Sequence, residues 1–262
     1  MVNDRPARDI FMACDIGNSR AAFGLVVDGR VDRVVHVPLV ALEDLAVTLQ
    51  IDPTISGSMH RAPLVVCSVN PQATERLRRL APEITRGTMI VARDEFPVPV
   101  RAAVDFPERV GVDRLLAGLA AHRHAGGACV VVDVGTAMTV DAVDAGGTFL
   151  GGHILPGPTL AARSLHHYTA ALPEVPFVHG DRPPEPVGRN TEAAIRAGLV
   201  HGLAGAVDRL VRCTRDALGG DAPVVATGGG LEIILPACTS LGDVRPNLVL
   251  EGLVAAYCQW RT

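Results

Sequence analysis

An apolar strand that ends on Asp-x-Gly occurs twice in this chain with one layout. Phe11-Met12-Ala13-Cys14 leads into Asp15-Ile16-Gly17-Asn18-Ser19, and 118 residues later Cys129-Val130-Val131-Val132 leads into Asp133-Val134-Gly135-Thr136-Ala137. In each copy a second strand follows, and a glycine, Gly29 or Gly147, stands fourteen residues past the aspartate. The pattern predicts a duplicated β-hairpin with an acidic tip.

Glycine in such a turn lets the backbone fold tightly and leaves amide groups free to face an anion, while the neighbouring aspartate can hold a cation. Presented twice, these groups suit a nucleotide triphosphate and its metal between two related lobes. A single Asp-x-Gly is also an ordinary way to end a buried strand. The matched offsets of the two copies favour the ligand reading.

The length of 262 residues exceeds one average domain, so two modest lobes are expected, 1–125 and 126–262. Hydrophobic residues make up 48% of the chain and aromatics 3%, so the core must be built from Val, Leu, Ala and Ile. That composition agrees with buried strands flanked by Ala-rich helices, an α/β class with mixed sheets. No apolar run reaches the length of a membrane span and no signal-peptide core follows the charged start, so a cytoplasmic location and no membrane partner are expected. Six cysteines without a C-x-x-C pair read as small buried thiols. A net charge of -4 argues against a nucleic-acid partner, and Arg76-Leu77-Arg78-Arg79 reads as the solvated face of a helix. All 24 basic residues are arginine. Lysine Schiff-base chemistry, a P-loop lysine and a kinase strand lysine are therefore excluded, and phosphate must be met by amides, arginine or metal.

Three antiparallel strands are expected near 10–16, 21–27 and 31–38, then a helix over 39–49, a strand over 63–69, a helix over 72–80 and a strand over 89–92. A proline-punctuated loop, 96–109, leads to Gly111-Val112-Asp113-Arg114 and a helix over 115–124. The second hairpin precedes a helix over 158–167, a proline-rich loop over 172–189 and a long Ala-rich helix over 191–218 that stops at Gly219-Gly220. A strand over 223–227 empties into Gly228-Gly229-Gly230, a weak signal of phosphate approach when a helix follows, here over 231–237. A closing helix over 248–260 is expected to pack on the sheet.

Asp113 is the strongest candidate for a catalytic base. At the first turn of a helix, exposed amides and the positive dipole end favour its charged form, and such a carboxylate can accept a hydroxyl proton during phosphoryl transfer. Arg114 beside it can clamp a carboxylate bidentately. The plain alternative is an N-cap aspartate with a surface arginine. Asp15 and Asp133 would divide the cations, and Asn18, Ser19 and Thr136 can donate to phosphate oxygens. Arg20 is placed either to reach a phosphate or as an exposed strand arginine. The histidines, including His166-His167 and the His122, His124 pair, lack a third ligand at metal spacing.

Taken together, Asp15-Ile16-Gly17-Asn18-Ser19, Gly111-Val112-Asp113-Arg114, Asp133-Val134-Gly135-Thr136-Ala137 with Thr139 and Asp141, and Gly151-Gly152-His153-Ile154-Leu155-Pro156-Gly157 resemble the type III pantothenate kinases. Asn190-Thr191, Thr227-Gly228-Gly229 and Leu248 to Leu253 extend the resemblance to the C-terminus. It implies two ribonuclease-H-like lobes of the acetate and sugar kinase and actin-like ATPase superfamily, in a homodimer. It also implies ATP-dependent phosphorylation of pantothenate, the first step towards coenzyme A. On that resemblance Asp15, Ile16, Gly17, Asn18, Ser19, Arg20, Ala21 and Ala22 line the ATP phosphates, with Asp15 near magnesium, and Thr136 touches ATP. Gly111, Val112, Asp113 and Arg114 hold pantothenate, with Asp113 as the base. Asp133 binds a monovalent cation, K+ or NH4+, and Thr191 contacts pantothenate. Val104 stands where the family commonly has a tyrosine against the substrate, with Phe106 two residues away, and Ser19 where threonine is common. A regulatory protein on the same fold, or a kinase for another small acid or sugar, are the competing readings.

Overall fold

The computed structural model describes residues 9–44, 62–85, 88–177 and 183–262. The chain forms two compact units, one of Met1–Val100, Glu108–Ala120 and Asn247–Thr262, the other of Arg101–Pro107 and Ala121–Pro246.

In the first unit, β1 (Ile10–Ile16), β2 (Arg20–Val27) and β3 (Arg30–Pro38) form an antiparallel meander. The β2–β3 turn is Asp28-Gly29 with φ of 50° and 74°, both in the left-handed region that a two-residue type I′ hairpin requires. β4 (Leu64–Ser68) adds parallel to β1 and β5 (Met89–Val91) parallel to β4, giving the order β3-β2-β1-β4-β5. Between β4 and β5 runs α1 (Pro71–Ile84), started by Pro71 and capped by Asn70, whose side chain accepts from the Ala73 N–H at 3.1 Å.

Strand alternation splits the side chains of β1 between two faces. Met12, Cys14 and Ile16 join Leu64, Val66, Leu77 and Ala81 in a closed core under α1. Each fully buried leucine there contributes about 2 kcal/mol by area. Phe11, Ala13 and Asp15 lie on the opposite face, where α5 (Leu248–Arg261) packs across β1 and β4. The Phe11 and Tyr257 rings meet edge-on at 5.0 Å, and the Arg261 guanidinium caps both rings while pairing with Asp9. α2 (Val112–Ala125) touches α5 so closely that a Cβ on Gly252 would overlap the Leu116 carbonyl. The expected closing helix thus belongs to the first unit.

The second unit repeats this plan. β6 (Cys129–Val134), β7 (Ala137–Val143) and β8 (Phe149–Pro156) are antiparallel, while β9 (Val224–Thr227) and β10 (Asp243–Val244) add in parallel, in the order β8-β7-β6-β9-β10. α3 (Pro158–His167) follows β8. α4 (Thr191–Ala217) is capped by Asn190 and lays Ala204, Val207 and Val211 on Val130, Val132 and Val134. It ends before Gly219 and Gly220, with φ of 83° and 157°. The expected class, two mixed sheets flanked by helices, is the one found.

Two helices come out shorter than their sequence suggests. Of the stretch 39–49, the described part Leu39–Asp44 is a 3-10 turn interrupted at Ala41, with Leu39 and Leu42 buried at the three-residue spacing of such a turn. Residues 45–49 lie outside the described residues. Leu231–Ile234 is one helical turn, followed by a 3-10 turn at Leu235–Ala237, because Pro236 has no N–H to continue the ladder. The six cysteines are free thiols. Arg76 bonds Glu43 and the Leu39 carbonyl, and Arg78 pairs with Glu75 and Glu95, so the arginine run is a charged helix face around buried Leu77.

Candidate active site

In the first unit the hairpin tip spans Gly17–Arg20, closed by the Gly17 N–H donating to the Arg20 carbonyl at 3.1 Å. Asn18, Ser19 and Arg20 are exposed there. Ile16 and Ala21 pair across the hairpin and are fully buried, so only their backbone can face a ligand. Asp15 pairs with Ala22 on one side and with Cys67 of β4 on the other, and paired residues share a face. The Cys67 thiol donates to the Asp15 carboxylate. Burial first, then the Asp15 and Asp113 carboxylates, push that thiol well above its ordinary value, which makes it an inert donor. Arg20 lies two residues from Ala22 on the Asp15 face, where partial burial and the Arg20 charge hold His36 below its ordinary value.

Asp113 is the second residue of α2, which begins one turn earlier than its apolar run suggested. Its Oδ1 accepts from the Arg114 N–H at 2.8 Å and occupies the space a Cβ on Gly111 would take. Glycine before the aspartate is therefore what lets the carboxylate fold back over the chain. The helix N-terminus was expected to favour the ionised form. The structure reverses the sign: burial raises the Asp113 pKa by more than the Arg114 N–H and charge lower it. Asp113 is accordingly a stronger base than a solvated aspartate. Its charge and that of Asp15 both act on Cys67, so two carboxylates distant in sequence stand within electrostatic reach of one thiol.

Beside this motif, at the C-terminal ends of β4 and β5, lies a cleft of about 520 Å³ lined by Ser68, Thr74, Arg78, Arg93, Gly111 and Val112 among others. That is the edge of an α/β sheet where ligands are generally met.

In the second unit the tip is tighter. The Gly135 N–H donates to the Ala137 carbonyl at 3.0 Å, so the loop is Gly135–Ala137. Asp133 pairs with Thr139 on β7 and Thr227 on β9. Gly157 seats against the tip, its N–H donating to the Thr136 carbonyl at 2.9 Å where a Cβ would overlap the backbone. Gly228, at φ 100°, lies against the Asp133 carboxylate and Val134, and the Gly230 N–H donates to the Val134 carbonyl at 2.8 Å. The triple glycine is thus folded onto the acidic hairpin, a link that no local sequence signal carries. Asp141, 1% exposed, faces Gly152 across the β7–β8 ladder.

Val104 and Thr191 also belong to the second unit. A Cβ on Gly151 would meet Val104 Cγ1 at 3.5 Å, and Phe106 is 56% exposed. Thr191 is the exposed first residue of α4, next to the Asn190 cap that accepts from the Ala193 N–H at 2.8 Å. In the sequence Cys67 reads only as a buried thiol and Gly157 only as the end of the Gly151–Gly157 motif, with no role at the site; the signal for Cys67 is its place at the end of a buried strand before Ser68-Val69-Asn70-Pro71.

Among the described residues no three His, Cys, Asp or Glu side chains gather to hold a metal by themselves. Magnesium does not need such a cage: it takes one or two carboxylates and completes its shell with phosphate oxygens and water. The hard oxygens at the ends of β1 and β6 fit that demand. No helix among the described residues is long and apolar enough to cross a membrane.

The family model for type III pantothenate kinase matches residues 11–213. A type III pantothenate kinase of Rubrobacter xylanophilus is 34% identical over 258 residues, covering 95% of this chain and 97% of the relative. One from Dehalococcoides mccartyi strain CBDB1 is 32% identical over 263 residues, covering 98% of each. Among solved structures, a Campylobacter jejuni chain assigned to the Baf family of transcriptional activators superposes with a TM-score of 0.61 at 19% identity, over 95% of this chain and 98% of that one. The ethanolamine utilization protein EutJ of Carboxydothermus hydrogenoformans gives 0.53 at 14% identity, over 98% and 92%. At such identities the structural likeness shows the fold alone. The full-length sequence matches and the motifs in their places go further: this chain belongs to the type III pantothenate kinase family.

Proposed function

We propose that this chain transfers the γ-phosphoryl group of ATP to the primary hydroxyl of pantothenate, giving 4′-phosphopantothenate on the way to coenzyme A. The observation that carries the reading is Cys67, whose thiol donates to Asp15 and feels the charge of Asp113, so that a carboxylate able to hold a cation and a desolvated base act on one group. Asp113 takes the hydroxyl proton as the hydroxyl oxygen bonds to the γ-phosphorus and the bond to the bridging oxygen breaks, with ADP leaving. Arg114 holds the pantothenate carboxylate, and Gly111 and Val112 shape the wall next to it. Thr191 contacts pantothenate across the interface of a homodimer, and Val104 sits where the family's tyrosine would.

Asp15 is the residue that would hold magnesium, which when bound neutralises charge on the phosphate oxygens. Asn18, Ser19 and the backbone of Arg20 to Ala22 meet those oxygens, and Thr136 touches ATP. Asp133, flanked by the hydroxyl-bearing Thr139 and Thr227, offers the weak oxygen donors a K+ or NH4+ ion takes. A chain with no lysine needs that added positive charge. The protein acts in the cytoplasm.

Purified protein given ATP, magnesium and pantothenate, with potassium, ammonium or sodium as the sole monovalent cation, tests this. A product heavier by one phosphoryl group, formed with potassium or ammonium and much less with sodium, is expected. Folded protein that makes none with any cation overturns the reading and turns attention to other hydroxy acids, with Val104 as the first residue to change.

A further inference from the structure

The turn after β5 holds the one non-glycine residue besides Asp28 with a positive φ among the described residues, Arg93 at 73°. Left-handed backbone is costly for a long side chain, so its persistence calls for a compensating contact. The turn itself is tightly tied: the Arg93 N–H donates to the Phe96 carbonyl at 2.8 Å, and the Val91 N–H to Glu95 Oε2 at 2.6 Å. From this turn the Arg93 guanidinium reaches seventeen residues ahead, donating to the Val110 carbonyl at 2.7 Å and to the Glu108 carbonyl at 3.3 Å. Both carbonyls lie in the segment that delivers Gly111 to α2, and Arg93, Val110, Gly111 and Val112 all line the cleft.

The Val110 carbonyl and the Gly111 N–H are opposite ends of one planar trans peptide. Fixing the carbonyl fixes the direction of the N–H. Glycine tolerates many backbone angles, so without a clamp this peptide could rotate and carry the Asp113 carboxylate, which folds over Gly111, with it. We propose that Arg93 is a positioning residue for the acceptor: by clamping the Val110–Gly111 peptide from the left-handed turn it sets the geometry of Gly111-Val112-Asp113-Arg114 at the cleft. The proposal rests on the reading of that motif as the pantothenate site.

Arg93→Gly removes the clamp while suiting the φ of 73°, so it tests the contact apart from backbone strain. A charge-assisted hydrogen bond is worth enough that its loss should raise the KM for pantothenate about tenfold. The KM for ATP should stay within about twofold of wild type and the melting temperature should change little, since relief of the strained turn offsets the lost hydrogen bond. Arg93→Lys, which keeps a cationic donor, should recover part of the pantothenate KM. Hydrogen exchange of the peptide spanning 108–114, measured without substrates, should quicken in Arg93→Gly. An unchanged pantothenate KM together with unchanged exchange overturns the proposal, as does an equal rise in both KM values with a lowered melting temperature. If wild-type protein fails to phosphorylate pantothenate, the reading of the site fails, and the exchange measurement still decides whether Arg93 holds the Gly111 peptide.

Discussion

The two sheets have one plan and unequal tips. Both run as three antiparallel strands followed by two parallel ones, and both place an aspartate at the end of the central strand. In the first, Asp15 lies between Ala22 and Cys67; in the second, Asp133 lies between Thr139 and Thr227. One residue fewer in the second tip slides the register, so the aspartate there faces a hydroxyl where the first copy offers a methyl group. After Cys67 the first unit has Ser68-Val69-Asn70, where after Thr227 the second has Gly228-Gly229-Gly230. The first unit also carries Asp113 on α2, within electrostatic reach of Cys67. The comparison teaches that one plan gives two carboxylate settings: Asp15 accepts from a thiol on which the Asp113 charge also acts, whereas Asp133 lies between two hydroxyl-bearing residues against the Gly228 turn, and the proposed function reads this as a division of labour.

The largest effect belongs to Asp113, which the second unit does not duplicate. Asp113→Asn should lower kcat by about a thousandfold with little change in ATP affinity, the usual range for loss of a positioned base. Its stability should move the other way. Burial sets the folded pKa above the unfolded one, so the stability tied to the neutral form is full below the unfolded pKa and is lost as pH rises through the folded pKa. At pH 7 an asparagine, neutral throughout, should therefore melt higher than wild type in a thermal scan.

Gly228→Ala should come next. With φ at 100° and a Cβ that would overlap Asp133 and the Val134 backbone, it should cost roughly 2 kcal/mol or more in denaturant unfolding and weaken ATP binding in calorimetry. Ser68→Ala, at the corresponding point on the last residue of β4, should leave ATP binding near wild type.

Much of this difference lay beyond the sequence. The repeated Asp-x-Gly, the strand alternation and the helix caps at Asn70 and Asn190 are local, and local signals were legible. The slip between the two tips is not, because Asn18-Ser19-Arg20 and Thr136-Ala137-Met138 give no hint of which residue closes the loop. Nor is the placement of Cys67 beside Asp15, which depends on parallel pairing across a long connection. The proton affinity of Asp113 was read from its helix terminus, yet tertiary burial outweighs that local field. Likewise, nothing near 248–261 tells which sheet the closing helix covers.

Two smaller effects sharpen the comparison. Thr227→Val takes a hydroxyl from beside Asp133 and should raise the potassium concentration for half-maximal activity severalfold, about the loss expected for one oxygen contact, without changing the magnesium requirement. Cys67→Ala removes the thiol donor from Asp15 and should raise the magnesium requirement about twofold to threefold, while Cys67→Ser, which keeps a donor, should not. Titrating each cation against each variant separates the two tips; a potassium effect in Cys67→Ala or a magnesium effect in Thr227→Val would dissolve the division.

The most direct measurement is single-turnover transfer of the γ-phosphoryl group to pantothenate, by wild type and Asp113→Asn, followed across acidic to neutral pH. The account predicts a wild-type rate that falls as pH drops through a point above that of a solvated aspartate, and a slow, pH-flat rate in Asp113→Asn. Transfer by Asp113→Asn at the wild-type rate would contradict it.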